Sequence, residues 1–308
     1  MPSIAINRSC EYALRSPIIA ARWFVLGLVL AWLSGCSALR LGYNQAPELA
    51  YWWLDGYVDF DGAQSDRVRA GLAQWQAWNR RTQLPEYALF LALARVDVME
   101  PTTAEKSCTR WNEALGRLDV AAEQAVPQIA ELLPTLKAAQ LIHIEQRYAK
   151  SNDTFRSDFL QADPQERREK SLDRAVERAE TLYGRLDDAQ RDAVAKAVAA
   201  SPFEAERWLS ERIRRQQELL QLLRRFGPDA TERDRDPALA QAAVRVYLQG
   251  LRVSPRDDYR RYAQRLAQFN CGFAASVHNA TSAAQRQTAR AKLAGWEGDL
   301  RALAAQTP

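Results

Sequence analysis

Histidine and cysteine are scarce in this sequence, with two and four residues among 308. Histidine is the usual acid–base group and metal ligand near neutral pH, so little material is available for a catalytic or zinc site. His143 and His278 belong to no HExxH, HxH or CxxC pattern, and we expect both to be structural. GxSxG, SxxK, Walker and GxGxxG motifs are also missing. The sequence therefore predicts no catalytic residue, metal, cofactor or small-molecule substrate.

An acidic run at residues 55–66 is the one cluster that invites a metal-site interpretation. Asp59 and Asp61 suit positions 3 and 5 of an EF-hand loop. Positions 1 and 12 would then be Tyr57 and Val68, and neither offers a carboxylate. We instead expect Asp61 to cap a helix.

Glycine and proline are also sparse, at 13 residues each, while the helix-favouring Ala, Leu, Arg, Glu and Gln are abundant. No stretch alternates apolar and polar residues for long enough to indicate a sheet. We therefore predict an all-α fold, an extended multi-helix bundle of about eight to ten helices. The predicted helices cover residues 47–58, 62–82, 85–99, 102–124, 127–160 with a bend near Pro134, 164–186, 202–226, 237–251, 256–279 and 283–304.

Five helix starts carry the sequence of a capping box, in which Asp or Ser is followed three residues later by Gln or Glu. Each cap stabilises its helix by about 1 kcal/mol because it satisfies orphan backbone N–H groups. Three of the boxes share an Ala-Gln pair, but their spacing along the chain is unequal, so we infer no tandem repeat. The boxes are residues 61–64, 163–166, 187–190, 201–204 and 282–285.

The first 35 residues have the three zones of a cleaved signal peptide. Residues 1–22 are polar and carry three arginines against one glutamate, and residues 23–33 are uninterruptedly apolar. That apolar run is short for a membrane span, which needs about 20 residues. Leu33-Ser34-Gly35-Cys36 then matches a lipobox, in which small residues admit the signal peptidase and the thiol accepts a lipid. An ordinary secretory signal and an uncleaved membrane anchor are the alternatives.

We therefore predict a lipoprotein whose partner is the membrane, held by palmitate-type acyl chains on Cys36. Ser37 replaces the aspartate that resembles an inner-membrane retention signal, which favours the periplasmic face of the outer membrane. The predicted organisation is a signal peptide at 1–35, a lipidated tether at 36–45 and one all-helical domain at 46–308. A subdomain break in the polar stretch 227–237 is an alternative.

Loss of the signal peptide lowers the net charge from +4 to +2, which is too balanced to indicate a nucleic-acid partner. Cys108 and Cys271 then remain in an oxidising compartment. They could form one disulfide or stay as two buried thiols, because the sequence does not report the distance between them.

Two segments are candidate interaction surfaces. The first is an aromatic helix in which Trp53, Tyr57 and Phe60 share one face and Trp52 points elsewhere. It must be buried against helices 62–82 and 85–99, in a partner, or in the membrane interface beside the lipid. The second is helix 202–226, whose six arginines alternate with four glutamates. A solvated face with i,i+4 ion pairs and an anionic partner are the two interpretations. The chosen residues are Trp52, Trp53, Tyr57, Phe60, Arg212 and Arg215.

The residues after Cys36, LGYNQAPELAYWWLDGYVDFDGAQSDRVR, resemble the opening of DUF6279, an uncharacterised family of proteobacterial lipoproteins. The likeness is densest at Tyr43-Asn44 and at residues 51–55 and 57–61, and the segment HNATSAAQRQTARAKLAGWEGDLRAL resembles the end of that family. The resemblance spans about residues 40–304. It implies a lipoprotein and brings no activity, catalytic residue or cofactor.

A weaker similarity is to periplasmic helical chaperones that carry Leu-Thr-x-x-Gln at helix starts. Leu186-Asp-Asp-Ala-Gln190 departs from this motif at the threonine position. We favour a non-catalytic lipoprotein that binds other envelope proteins as a chaperone or adaptor, with a lipid- or polymer-binding module as the alternative. A concave basic groove would favour the first, a large apolar cavity the second, and a histidine–carboxylate pocket an enzyme.

The lipobox predicts the mature N-terminus directly. Mass spectrometry of the protein expressed in a Gram-negative host should show cleavage before Cys36 and acyl chains on it. The Cys36→Ala variant should keep its signal peptide and carry no acyl chain. An intact Met1 in the unchanged protein, or an unmodified Cys36, would contradict the prediction.

Overall fold

The computed structural model describes residues 38–306. Cys36, Ser37 and the predicted signal peptide lie outside the described residues. The chain divides into two units at residue 43, and of the first unit only residues 38–43 are described. From Asn44 onward the described chain forms one compact unit, and the stretch 227–237 does not divide it.

Residues 38–306 form twelve α-helices and two short 3₁₀ helices, with no strand among them. The prediction of an all-α multi-helix fold is confirmed, and the helix number exceeds the predicted eight to ten because residues 38–44 and 188–199 form helices of their own. No helix within the described residues combines the length and the apolar character needed to cross a membrane. The α-helices are α1 Ala38–Asn44, α2 Ala46–Val58, α3 Gly62–Thr82, α4 Leu84–Asp97, α5 Ala104–Leu132, α6 Ala138–Phe159, α7 Pro164–Tyr183, α8 Asp188–Ala199, α9 Ala205–Phe226, α10 Pro237–Arg252, α11 Asp257–Asn279 and α12 Ala283–Ala304.

Helix α5 differs from the prediction because it continues through Pro127. A proline inside a helix costs about 3 kcal/mol, since it lacks an N–H and crowds the preceding turn. Val126 and Ala130 on either side of it are buried in the main core, and their packing offsets that cost. The chain instead breaks at the 3₁₀ helix Leu133–Thr135, which contains Pro134.

The predicted capping box at residues 201–204 is wrong, because α9 begins at Ala205 with Glu204 as N-cap. A tertiary contact decides this start: the Glu204 N–H donates to the Tyr262 hydroxyl of α11 at 2.9 Å. The box at residues 163–166 is half right, since Asp163 caps α7 through the Gln165 N–H at 2.8 Å. The boxes at 61–64, 187–190 and 282–285 are confirmed.

The main core lies where the second half of α5 meets α6, α9 and α10. Val126, Ile144, Phe226 and Val244 represent those helices in it, and all four are buried. Smaller apolar clusters join α4 to α12 and α7 to α8 and α11.

A disulfide joins Cys108 of α5 to Cys271 of α11, with a Cα–Cα distance of 5.2 Å. Of the two alternatives that the sequence left open, the structure contains the disulfide. It links positions 163 residues apart, so it closes most of the described chain into one loop.

Removal of this disulfide should lower stability by restoring freedom to the unfolded chain. We expect the paired substitution Cys108→Ser and Cys271→Ser to reduce the free energy of unfolding by about 2–5 kcal/mol. Chemical denaturation of the two proteins measures the difference. Equal midpoints for the unchanged and the doubly substituted protein would contradict this expectation, as would an unchanged midpoint after treatment with a thiol reductant.

Candidate functional site

Four helix N-termini meet in two pairs, and in each pair two glutamine side chains bond to each other. In the first pair, Gln64 Nε2 of α3 donates to Gln140 Oε1 of α6 at 3.1 Å, and the reverse bond measures 2.7 Å. In the second, Gln190 of α8 and Gln285 of α12 exchange the same bonds at 2.7 and 2.9 Å. We call each arrangement a glutamine clasp.

Both clasps use their remaining bonding positions in the same way. Each Oε1 also accepts the N–H of its own N-cap residue. Each Nε2 also donates to a backbone carbonyl that lies two residues before the N-cap of the partner helix. Every one of these amides therefore uses both acceptor positions of its oxygen and both N–H donors. These carbonyls are Thr135 at 2.7 Å from Gln64, Asp59 at 2.8 Å from Gln140, Ala280 at 2.8 Å from Gln190 and Arg185 at 2.9 Å from Gln285.

The sequence identified three of these four glutamines and missed Gln140. Its N-cap residue is Lys137, which carries no side-chain acceptor and so does not read as a capping box. The signal that could have found it is the Ala-Gln pair at 139–140, shared with the other three. Lys137 Nζ lies 2.8 Å from Asp61 Oδ2, the N-cap of α3, and this contact holds the pKa of Asp61 below its ordinary value.

The first clasp fixes the end of α2 on α6, because Gln140 bonds the carbonyl of Asp59 just after α2. Asp59 has a left-handed conformation with φ of 58°, and the Asp55 carboxylate accepts the Phe60 N–H at 2.9 Å. The acidic run thus caps helix ends. Within residues 38–306 no three His, Cys, Asp or Glu side chains lie close enough together to hold a metal ion.

An open groove lies where α2, α6 and α9 come together, with a volume of about 420 Å³. Helix α6 supplies most of its lining, α2 supplies one aromatic ring and α9 supplies one arginine. We call it the basic groove. Its lining residues are Tyr57, Arg147, Lys150, Ser151, Thr154, Phe155, Asp158, Phe159 and Arg212.

Three cations and one carboxylate face the basic groove. Among the described residues, no carboxylate is ion-paired with Arg147, Lys150 or Arg212. Within residues 38–306, Arg147 Nε is buried without a hydrogen-bond partner. Arg212 bonds only neutral groups, Asn152 Oδ1 at 3.0 Å and Ser151 Oγ at 2.5 Å. The groove therefore presents uncompensated positive charge.

Aromatic rings continue from both walls of the groove. On one side, Tyr57 lies 5.0 Å from the Trp53 ring and 6.0 Å from the Tyr148 ring, measured between centroids. Burial raises the pKa of Tyr148 to about 12, so this hydroxyl is neutral at physiological pH. On the other side, the Phe155 and Phe159 rings stack at 4.6 Å.

The candidate aromatic helix is part buried and part exposed. Tyr51 is buried against α3, where its hydroxyl donates to Ser65 Oγ at 2.9 Å. Trp52 and Trp53 are 68% and 64% exposed, so burial against α3 accounts for Tyr51 and not for them. The Phe60 ring stacks on Tyr51 at 6.3 Å and does not line the groove.

Of the two candidate arginines, only Arg212 reaches the groove. Arg215 bonds the buried Glu211 at 3.1 Å, and Arg256 at the start of α11 bonds the same carboxylate at 2.6 and 3.0 Å. Burial by itself raises the pKa of Glu211, but its bonds to Arg256 and the charges of both arginines lower it below the ordinary value. Arg215 thus belongs to an internal ion-pair network.

Both histidines contact backbone carbonyls. His278 is buried, with Nε2 2.8 Å from the Glu100 carbonyl and Nδ1 2.9 Å from the Tyr183 hydroxyl. His143 Nε2 lies 3.4 Å from the Gly56 carbonyl. Neither histidine lines the basic groove.

The model of a family of unknown function, DUF6279, matches residues 56–240 of the chain. That range contains the first clasp and every residue that lines the basic groove. No curated protein and no solved structure matches the chain.

The clasp should stabilise the joint between α3 and α6. Gln140→Ala leaves the Asp59 carbonyl, the Lys137 N–H and the Gln64 amide short of partners, and we expect a loss of about 1–3 kcal/mol in the free energy of unfolding. Gln146→Ala is the matched control, because Gln146 is exposed on the same helix. A double-mutant cycle with Gln64→Ala measures the coupling. Equal losses for the Gln140 and Gln146 variants would contradict a role for the clasp.

Proposed function

The chain belongs to the DUF6279 family, and from the basic groove we propose that it is a non-catalytic envelope lipoprotein that binds other envelope proteins. The observation that carries the proposal is the gathering of three cations without carboxylate partners in one concave surface with aromatic walls. Interaction sites for proteins are rich in arginine and aromatic side chains, because these combine contact area with directional bonding.

The alternative, a module that stores or carries lipid, needs an apolar cavity for acyl chains. The apolar pocket between α8 and α11, lined by Leu186, Val194 and Phe273, has room for about 10 Å³. That is about the space of one water molecule. The basic groove is open and combines charged and hydroxyl groups with aromatic rings, which suits a protein segment better than an acyl chain.

Membrane attachment through Cys36 remains part of the proposal, with the periplasmic face of the outer membrane as the location. The Cys108–Cys271 disulfide supports it, because such bonds persist in the oxidising periplasm and are rare in the cytosol. The exposed Trp52 and Trp53 are consistent with contact at a membrane interface or with a bound partner.

The non-catalytic part of the proposal is supported by His278, which is buried with both ring nitrogens in hydrogen-bond contact. The Tyr183 hydroxyl lies at Nδ1 of His278 and the Glu100 carbonyl lies at Nε2, so both ring nitrogens are occupied. A general base needs a free nitrogen within hydrogen-bond reach of a substrate proton.

Site-specific photo-crosslinking in intact cells tests the proposal. A benzophenone amino acid at Thr154, on the exposed rim of the groove, should form adducts with an envelope protein. The same amino acid at Lys170, exposed on α7 and outside the groove, is the matched control. The Thr154 adducts should disappear when Cys36→Ala prevents attachment of the lipid. Adducts at Thr154 that do not exceed those at Lys170, or adducts with lipid alone, would contradict the proposal.

A further inference from the structure

We propose that the basic groove binds a peptide segment that carries a carboxylate beside an aromatic side chain. This inference rests on the proposed function and adds the chemistry of the partner. Three features of the groove support it: the cations lack carboxylate partners among the described residues, rows of aromatic rings extend from the lining, and the lining contains a single acid.

The cations of the groove have no carboxylate partner among the described residues, whereas the other arginines of α9 do have one. Arg224 pairs with Glu145 and Arg225 with Asp234, while Arg207 lies near Asp258. Only Arg212 lies in the groove, and its bonds go to the neutral Asn152 and Ser151. On α9, the arginine without a carboxylate partner among the described residues is therefore the one that lines the basic groove.

Arg147 is the cation best prepared for an incoming carboxylate. Its guanidinium carbon lies 5.4 Å from the centroid of the Tyr57 ring, and its Nε is buried without a partner. No acceptor among the described residues therefore fixes the guanidinium at this atom. The planar guanidinium also matches the two oxygens of a carboxylate better than an ammonium does.

The aromatic rings define the second part of the ligand. From Phe159 the row continues to Phe203 at 6.2 Å and on to Trp208 at 6.1 Å, which is partly exposed. On the opposite wall, Trp53 is exposed beside Tyr57. An aromatic side chain placed against either row gains stacking contacts in addition to burial. A simple anion such as phosphate would leave both rows unused.

Asp158 limits where the negative charge of the ligand can lie. It stands eight residues beyond Lys150 on α6, which is about 12 Å along a helix at 1.5 Å per residue. A continuous run of acids along the groove would bring a carboxylate against Asp158. The ligand therefore has its carboxylate at the Arg147 end.

Fluorescence anisotropy with the full mature chain tests this chemistry. The labelled probe is a capped peptide containing Asp-Phe-Glu-Phe, and the comparison peptides contain Asp-Ala-Glu-Ala and Lys-Phe-Lys-Phe. We expect the first to bind at least about tenfold more tightly than either of the others, and its affinity to fall as salt rises. Inorganic phosphate and phosphatidylglycerol vesicles should compete weakly. Equal affinity for the three peptides, or full displacement by phosphate or vesicles at low concentration, would overturn the inference.

Charge reversal inside and outside the groove provides the matched control. Lys150→Glu should weaken binding of the Asp-Phe-Glu-Phe peptide about tenfold, because Lys150 is exposed in the groove and its replacement repels the carboxylate. Lys170→Glu makes the same charge change outside the groove and should leave the affinity unchanged. Equal effects of the two substitutions would overturn the inference.

The crosslinking and peptide-binding experiments distinguish failure of this inference from failure of the proposed function. Protein adducts at Thr154 in cells, together with no preference for the acidic-aromatic peptide, would overturn this inference and leave the proposed function standing. A clear peptide preference without any protein adduct in cells would support the chemistry of the groove and overturn the proposed function.

Discussion

The amide–amide pairing of glutamines at helix starts is the interaction on which the arrangement of this bundle depends. Each clasp joins two helix N-termini through two glutamines at the N3 position, whose side chains supply four donor bonds. A buried amide is favourable only when its donors and acceptors are all bonded, and in both clasps they are. The geometry thus permits one mutual placement of each helix pair, which nonspecific apolar packing would not define.

The basic groove is a consequence of the first clasp. Gln140 bonds the carbonyl of Asp59 and so holds the end of α2 against α6, which places Tyr57 beside Arg147. Helix α9, whose C-terminal half packs into the main core, adds Arg212. Elsewhere on α9 the charges are satisfied within the protein, as at Glu211. The groove is where three cations lie without carboxylate partners among the described residues, next to the packed core that α6 and α9 share.

Several features of the site could be predicted from the sequence and others could not. Asp61, Asp187 and Ser282 were identified as caps because the N-cap and N3 positions are local in the chain. Gln140 was missed because its N-cap residue is a lysine, and the start of α9 was misplaced because Tyr262 supplies the bond to Glu204. The aromatic segment was identified, but its division into a buried Tyr51 and an exposed Trp53 depends on where α3 packs.

The helical class and most helix bounds follow from the sequence alone, because helix periodicity and capping are properties of neighbouring residues. The match to the DUF6279 family model is also a property of the sequence. It also carries the lipobox at Cys36, a pattern of four adjacent residues. Arg215 lies three positions after Arg212 and pairs with Glu211, one turn away on the same helix, which is a local contact. The surroundings of Arg212 depend instead on the tertiary structure, because Tyr57 and the α6 side chains of the basic groove come from distant parts of the chain and reach Arg212 only when α2 and α6 pack in the folded protein.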